Sequence, residues 1–396
     1  MIFYKLLIIM TFFFASLVNH GNAKFIPALL IIFLINPRKY TYKNILFLIV
    51  GGAVITASAV YFNIYGFWYA HSEKVEAFWG NYFSYIALVV FIVLYSKIVA
   101  DNNLHQEFYS AIKIVIVVHV LLIAIQCITF YTTGKYIDFV KPFTGEASRF
   151  ENYLDSASFA QIRFTGLYVE PSTYAAVIVT LVLAKSILAS QLNKGNDYFD
   201  YISLLSAILT FSTASIIYAN IAIVYLLYTT VLNSKFKSLA IIIVSVILCG
   251  TFFIFYNEIF RIIADTVMKF QERGGMRLGL IHYIFSEREG IIYWFGPNIF
   301  GLEKELYILT HNLNNGPRLM GAENDSGLFV YLVVTFGVSA ILPLLVFFLF
   351  ILKRRKSLLI PFMIVGLTKI SFTHYVFWIF IITLFYALNK KKIHND

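Results

Sequence analysis

Apolar residues in this chain come in long blocks, unlike the short alternating or helical-period stripes of a soluble domain. The blocks occupy 3–19, 25–36, 43–65, 82–100, 110–132, 166–190, 199–215, 216–233, 237–257, 326–352, 357–371 and 372–389. A helix needs roughly 20 apolar residues to cross the hydrocarbon core of a bilayer. The block at 25–36 is short for that and would tilt or pair tightly with the first. Two stretches, 199–233 and 357–389, are too long for one helix. Polar turns at Ser212-Thr213-Ala214-Ser215 and Ser371-Phe372-Thr373-His374 divide them. The pattern predicts an all-α polytopic membrane protein with about twelve transmembrane helices.

Composition agrees. Of 396 residues, 60% are apolar and 13% charged, against roughly 45–50% and about 25% in an ordinary soluble domain. A soluble enzyme, a disordered chain and a fibrous repeat are excluded. The two cysteines, Cys127 and Cys249, lie inside apolar blocks without metal-like spacing. The net charge of +10 would fit a nucleic-acid partner until the charges are placed. With alternating spans and a cytoplasmic N-terminus, the inside segments hold 17 bases and five acids, and the outside segments 13 bases and 16 acids. Only Lys369 is assigned to neither side. The basic charge is thus a topology signal, both termini are expected in the cytoplasm, and no nucleic acid is implied. Residues 1–23, with Lys5, an apolar core and Gly21-Asn22-Ala23, also fit a cleavable signal. A retained first span fits better, because the next block begins at once.

The polar residues collect outside. Two outer loops are long, 133–165 and 258–325, whereas loops without a function have a median of roughly 4–6 residues. The second opens on Glu258–Phe270, where Phe260, Ile263, Val267 and Phe270 recur at helical spacing; this stretch is expected to lie on the membrane surface. There is no internal repeat, so residues 1–396 read as one membrane domain. No phosphate-loop, HExxH, GxSxG or Cys/His metal motif occurs.

Three constellations remain. In Arg163-Phe-Thr-Gly166-Leu-Tyr-Val-Glu170-Pro171-Ser172, Pro171 suits the first turn of a helix with Glu170 at its cap. Glu170 is either a dipole-complementing acid with Arg163 as an interfacial anchor, or a desolvated carboxylate with a raised pKa acting as general base. The second reading is favoured, since an ordinary cap is Ser or Asp. Arg273 and Arg277 flank glycines near Phe295-Gly296-Pro297. They are either guanidinium forks for a pyrophosphate held without metal or solvated loop arginines, which composition alone favours. His311, a loop imidazole, and Asp325, before the block at 326–352, are either proton carriers or, respectively, a solvated side chain and a helix cap. Lys369 and His374 form either a buried pair or an interfacial anchor.

At RFTGLYVEPSTYA, LTFSTASII, GGMRLGLIHYIF and ENDSGLFVYLVVTFGV the chain resembles the O-antigen polymerase family, within the polymerase and ligase superfamily acting on polyprenyl-linked glycans. The resemblance covers most of the chain in layout and short stretches in sequence. It implies a GT-C-like glycosyltransferase in the bacterial inner membrane that joins undecaprenyl-pyrophosphate-linked repeat units on the periplasmic side, without cofactor or metal. Donor and acceptor lipid-linked glycans, membrane lipids and a chain-length regulator are the implied partners. It carries the family's essential arginines to Arg163 and Arg277 and the loop histidine of the related ligases to His311. By its own chemistry, transfer from a pyrophosphate would use Arg163, Arg277 and Arg273 for the substrate's charge and Glu170, Asp325 or His311 for the acceptor's proton. A ligase joining finished glycan to lipid A core, a lipid-linked oligosaccharide flippase and a secondary transporter are the alternatives. A transporter would show paired broken helices and mid-membrane charges.

Overall fold

A computed structural model describes residues 2–17, 21–34, 41–65, 75–100, 104–150, 162–210, 212–232, 256, 276–300 and 327–389. Among these, every regular element is a helix. The first five are α1 (Ile2–Ser16), α2 (Ile26–Leu34), α3 (Tyr42–Tyr65), α4 (Val75–Val99) and α5 (His105–Thr133). A single turn, α6 (Lys141–Thr144), precedes α7 (Pro171–Gln191), α8 (Tyr198–Ile208) and α9 (Thr213–Leu232). Then follow α10 (Met276–Ser286), α11 (Gly290–Phe295), α12 (Leu328–Phe336), α13 (Ile341–Arg354), α14 (Leu359–Leu367) and α15 (Tyr375–Asn389). Helices lie on eleven of the twelve apolar blocks; the block 237–257 falls outside the described residues apart from Tyr256. Four of them, α3, α4, α5 and α7, are long and apolar enough to cross a membrane. This is the architecture of a helical membrane-embedded protein.

The axis of the bundle is α7, which packs against α5, α8, α9, α14 and α15. It starts at Pro171, whose missing N–H costs nothing in a first turn. Its most apolar window is 94% buried in protein, against 11% for α3. Lipid tails are as apolar as leucine, so burial in a bilayer is won by close packing and polar contacts. Ala175, Ala176 and Ala184 on α7, with Ala219 and Ala222 on α9, are wholly buried and permit that approach. Conversely, Ile45, Phe47, Ile49 and Val54 on α3 stay exposed.

At the C-terminal end of α7 a charge network joins three helices. Lys185, 1% exposed, donates to Asp200 (2.6 Å) and Asp197 (3.1 Å), and Asp197 also accepts from Lys113 at 2.7 Å. Asp197 and Asp200 form a reciprocal capping box that starts α8. A buried ammonium demands such partners.

Two expectations need correction. The block 326–352 is two helices, not one continuous helix. Gly337, at φ 67°, ends α12, and a 3-10 turn, Val338–Ala340, leads into α13. The cause is close backbone contact: a Cβ on Gly337 would sit 2.4 Å from the Trp294 carbonyl carbon, and one on Gly296 would sit 2.5 Å from the Thr335 oxygen. In addition, α4 begins at Val75, before the expected 82, because Phe78 and Tyr82 pack on Phe300. Within the long stretch 258–325, residues 276–300 are docked structure. Leu280, Tyr283 and Ile284 cluster with Val334, and Arg288 donates to the carbonyls of Val333 and Val334. The expected surface stretch Glu258–Phe270 lies outside the described residues.

Both other long stretches do divide. Helix α8 ends at Ile208 and α9 starts at Thr213, so Thr213, Ala214 and Ser215 of the expected turn open a helix instead. By contrast, α14 and α15 flank 368–374, which holds the expected turn at 371–374. At nine residues, α14 rises about 14 Å, roughly half the hydrocarbon core. Its last carbonyls, from Gly366 to Thr368, lie against Gly327 at the start of α12.

Candidate functional site

The segment after α5 is built around one carboxylate. Asp138 accepts the backbone N–H groups of Val140 (2.8 Å), Lys141 (3.0 Å) and Ser148 (2.8 Å). Burial pushes its carboxyl up, but these donors outweigh it and hold the group below its ordinary value. The chain then pairs with the stretch before α7: Arg163 N–H donates to Phe150 O and Arg149 N–H to Val169 O, both at 2.7 Å. Tyr136 stacks on Phe150 at 4.0 Å and shares a 2.8 Å hydrogen bond with Thr165.

The bend at Gly166 is gripped from α5. Wholly buried Gln126 accepts the Gly166 N–H at 2.8 Å and donates to the Ile137 carbonyl at 2.9 Å. Gly166 lies at φ 60°, and an added Cβ would meet the Tyr174 ring at 3.1 Å and Ile123 at 3.3 Å. Glycine fits because that backbone region disfavours a Cβ.

These supports bring Arg149, Arg163 and Glu170 to the N-terminal end of α7. Glu170 occupies the N-cap position, yet its side chain makes no capping hydrogen bond. One carboxylate oxygen takes the Arg149 guanidinium, and the other takes Lys369 Nζ at 2.6 Å. Arg163 adds its field to the same carboxylate. Lys369 comes from the link between α14 and α15, where Thr368 donates to Val365 O at 2.7 Å and Ser371 N–H to His374 Nδ1 at 3.1 Å. Lys369 and His374 therefore do not form the pair considered from sequence: Lys369 joins Glu170, and His374 turns to Ser371.

The expected rise in the Glu170 pKa is reversed. Burial does push it up, but Lys369, Arg149 and Arg163 together outweigh burial and hold the carboxyl below its ordinary value. Burial pulls the Arg163 guanidinium down while Glu170 pushes it back; a guanidinium stays charged regardless.

Of the residues singled out from sequence, Arg163 and Glu170 share this cluster. Arg277 lies in the first turn of α10, a helix packed on α12. Arg273, His311 and Asp325 lie outside the described residues. Sequence reasoning did not assign Arg149 or rank Lys369. A signal for Lys369 existed: the charge count assigns it to neither side, and an intramembrane base seeks a carboxylate.

Chemically, three cations around one carboxylate form an electropositive seat suited to a multivalent anion. Among the described residues, no group of three or more His, Cys, Asp or Glu is placed to hold a metal ion. Compared with known families and proteins, the chain matches no family model, no curated protein and no solved structure.

Proposed function

We propose that the chain is a membrane glycosyltransferase that polymerises undecaprenyl-pyrophosphate-linked oligosaccharide units into O-antigen or a similar surface polysaccharide at the periplasmic face of the bacterial inner membrane. The observation that carries the reading is the convergence of Arg149, Arg163, Glu170 and Lys369 at the start of α7. In the transfer, the bond from the donor's anomeric carbon to its diphosphate oxygen breaks. A bond from that carbon to an acceptor sugar hydroxyl oxygen forms, and the hydroxyl proton passes to a base. The leaving diphosphate lipid gains negative charge, which Arg163, Arg149 and Lys369 are suited to stabilise. Arg277 and Arg273 extend the cationic inventory from the longer loop. With both Glu170 oxygens engaged by cations, the base role passes to Asp325 or His311.

A second reading has its own support. The break at Gly337 and the half-length α14 are interruptions of the kind transport proteins use, here both in the C-terminal part of the chain. They support a transport reading such as a lipid-linked oligosaccharide flippase. Disrupting the gene in its host separates the readings. Single-repeat glycan on the lipid supports the polymerase. Absence of all attached glycan points to a ligase, and cytoplasmic build-up of the lipid-linked unit points to a flippase.

A further inference from the structure

Glu170 has an unusual place among the cations. It is 23% exposed, sits at the mouth of the bundle axis, and spends each oxygen on a cation from a different stretch of chain: Arg149 from the segment after α5, Lys369 from the link before α15. It does not cap the helix it precedes. Arg149 is 62% exposed and also touches Glu146 at 3.5 Å, so its guanidinium is a surface arm drawn inward by Glu170. Lys369, by contrast, is 11% exposed. A carboxylate held this way stands where a larger anion would fit: two oxygens and one negative charge, met by one guanidinium nitrogen and one ammonium.

We infer that Arg149 and Lys369 are the receiving pair for a diphosphate, and that the Glu170 carboxylate holds the diphosphate's place until the diphosphate displaces it. This rests on the reading of the cluster as an anion site, but its test needs no glycan synthesis. A diphosphate outbids the carboxylate because it brings more charge and more acceptor oxygens to the same guanidinium fork. Glu170 in this role keeps the cations paired while the site is empty and leaves them when ligand arrives. It is a competitor of the substrate, where a base would be its helper.

The test is equilibrium binding of inorganic pyrophosphate to the full-length protein in phosphatidylcholine nanodiscs, at two salt concentrations. Glu170→Gln removes the competing charge and is expected to bind about tenfold more tightly, while Arg149→Gln binds about tenfold more weakly. Affinity falls as salt rises. Equal or weaker binding by a folded Glu170→Gln protein overturns the inference. Should that variant not fold, Arg149→Gln decides, since an exposed arm can be replaced without loss of the fold: unchanged affinity overturns the inference and weakened affinity supports it. Nanodiscs of phosphatidylglycerol distinguish a lipid-headgroup seat from a diphosphate seat; abolition of pyrophosphate binding by that lipid overturns the diphosphate assignment. A host whose glycan lengths do not depend on the gene would refute the polymerase reading and leave these binding results standing.

Discussion

Gly166 is one atom short of a clash. At φ 60°, with the Tyr174 ring 3.1 Å from where a Cβ would lie, Gly166→Ala meets both backbone strain and a crowded wall. The expected cost is about 1–3 kcal/mol, read as a lower unfolding temperature of the solubilised protein. A wild-type temperature would show that the bend relaxes freely. Two carboxyls make a pH prediction. Asp138 and Glu170 both sit below their ordinary values in the fold, so the stability they add is present above the unfolded carboxylate pKa of about 4. It is lost as pH falls through the folded values. The unfolding temperature should therefore hold from neutral pH to mildly acid conditions and drop below about pH 4, with a smaller drop in Asp138→Asn. A drop already complete near neutrality would assign the effect to other groups. At this scale the sequence exposed half of the site. Arg163 and Glu170 share one short motif, whereas Arg149 and Lys369 reach Glu170 across separations of 21 and 199 residues. Pairings that distant depend on how helices pack, which a hydropathy pattern does not encode.

Among elements, the docking of α11 on the junction between α12 and α13 depends on two glycines meeting backbone to backbone. Asn298 completes the joint: its N–H donates to Thr335 O and its side-chain amide to Ser58 O on α3. Gly337→Ala has nowhere to put its methyl group, because the obstacle is the Trp294 main chain, so α11 must lift away. Overpacking of this kind costs about 1–3 kcal/mol, and faster amide exchange across 290–300 is the expected readout; unchanged exchange there would refute the joint. This break escaped the sequence reading because one glycine inside an apolar block is tolerated in a helix, and its reason lies in another loop. The union of α7 and α8 makes a second case. Lys185→Met strands Asp200, which is 1% exposed, and loss of one partner of a buried pair costs about 3–5 kcal/mol. Lys185→Met combined with Asp200→Leu should recover much of that loss in the same unfolding measurement. A double variant no better than the single one would show that Asp197 and Lys113 carry the joint.

For the molecule as a whole, the block pattern located the helices well, because a bilayer forces long apolar runs into helical form. It located their ends less well. Tertiary contacts set those, as Phe300 does for α4 and Gly296 for α12. The charge count makes a claim of its own about orientation. Reporter fusions at Asn152 and Asn314 should be active only with a reporter that works outside the cytoplasm; a cytoplasmic signal at either position would invert or break the proposed topology. On that orientation the two charged networks would lie toward opposite faces, the one at Lys185 inside and the one at Glu170 outside.

The Lys185–Asp200 pair also bears on how the chain is made. A nascent α7 carries an ammonium within its last two turns, where lipid penalises it by less than the cost of about 3 kcal/mol at a span's centre, and its neutralising partner lies 15 residues further on. Inserting α7 and α8 together would spare that cost, because the pair joins neighbours in the chain. A hairpin of that kind would set the protein's innermost helix before α14 and α15, two of the helices packed on it, are translated.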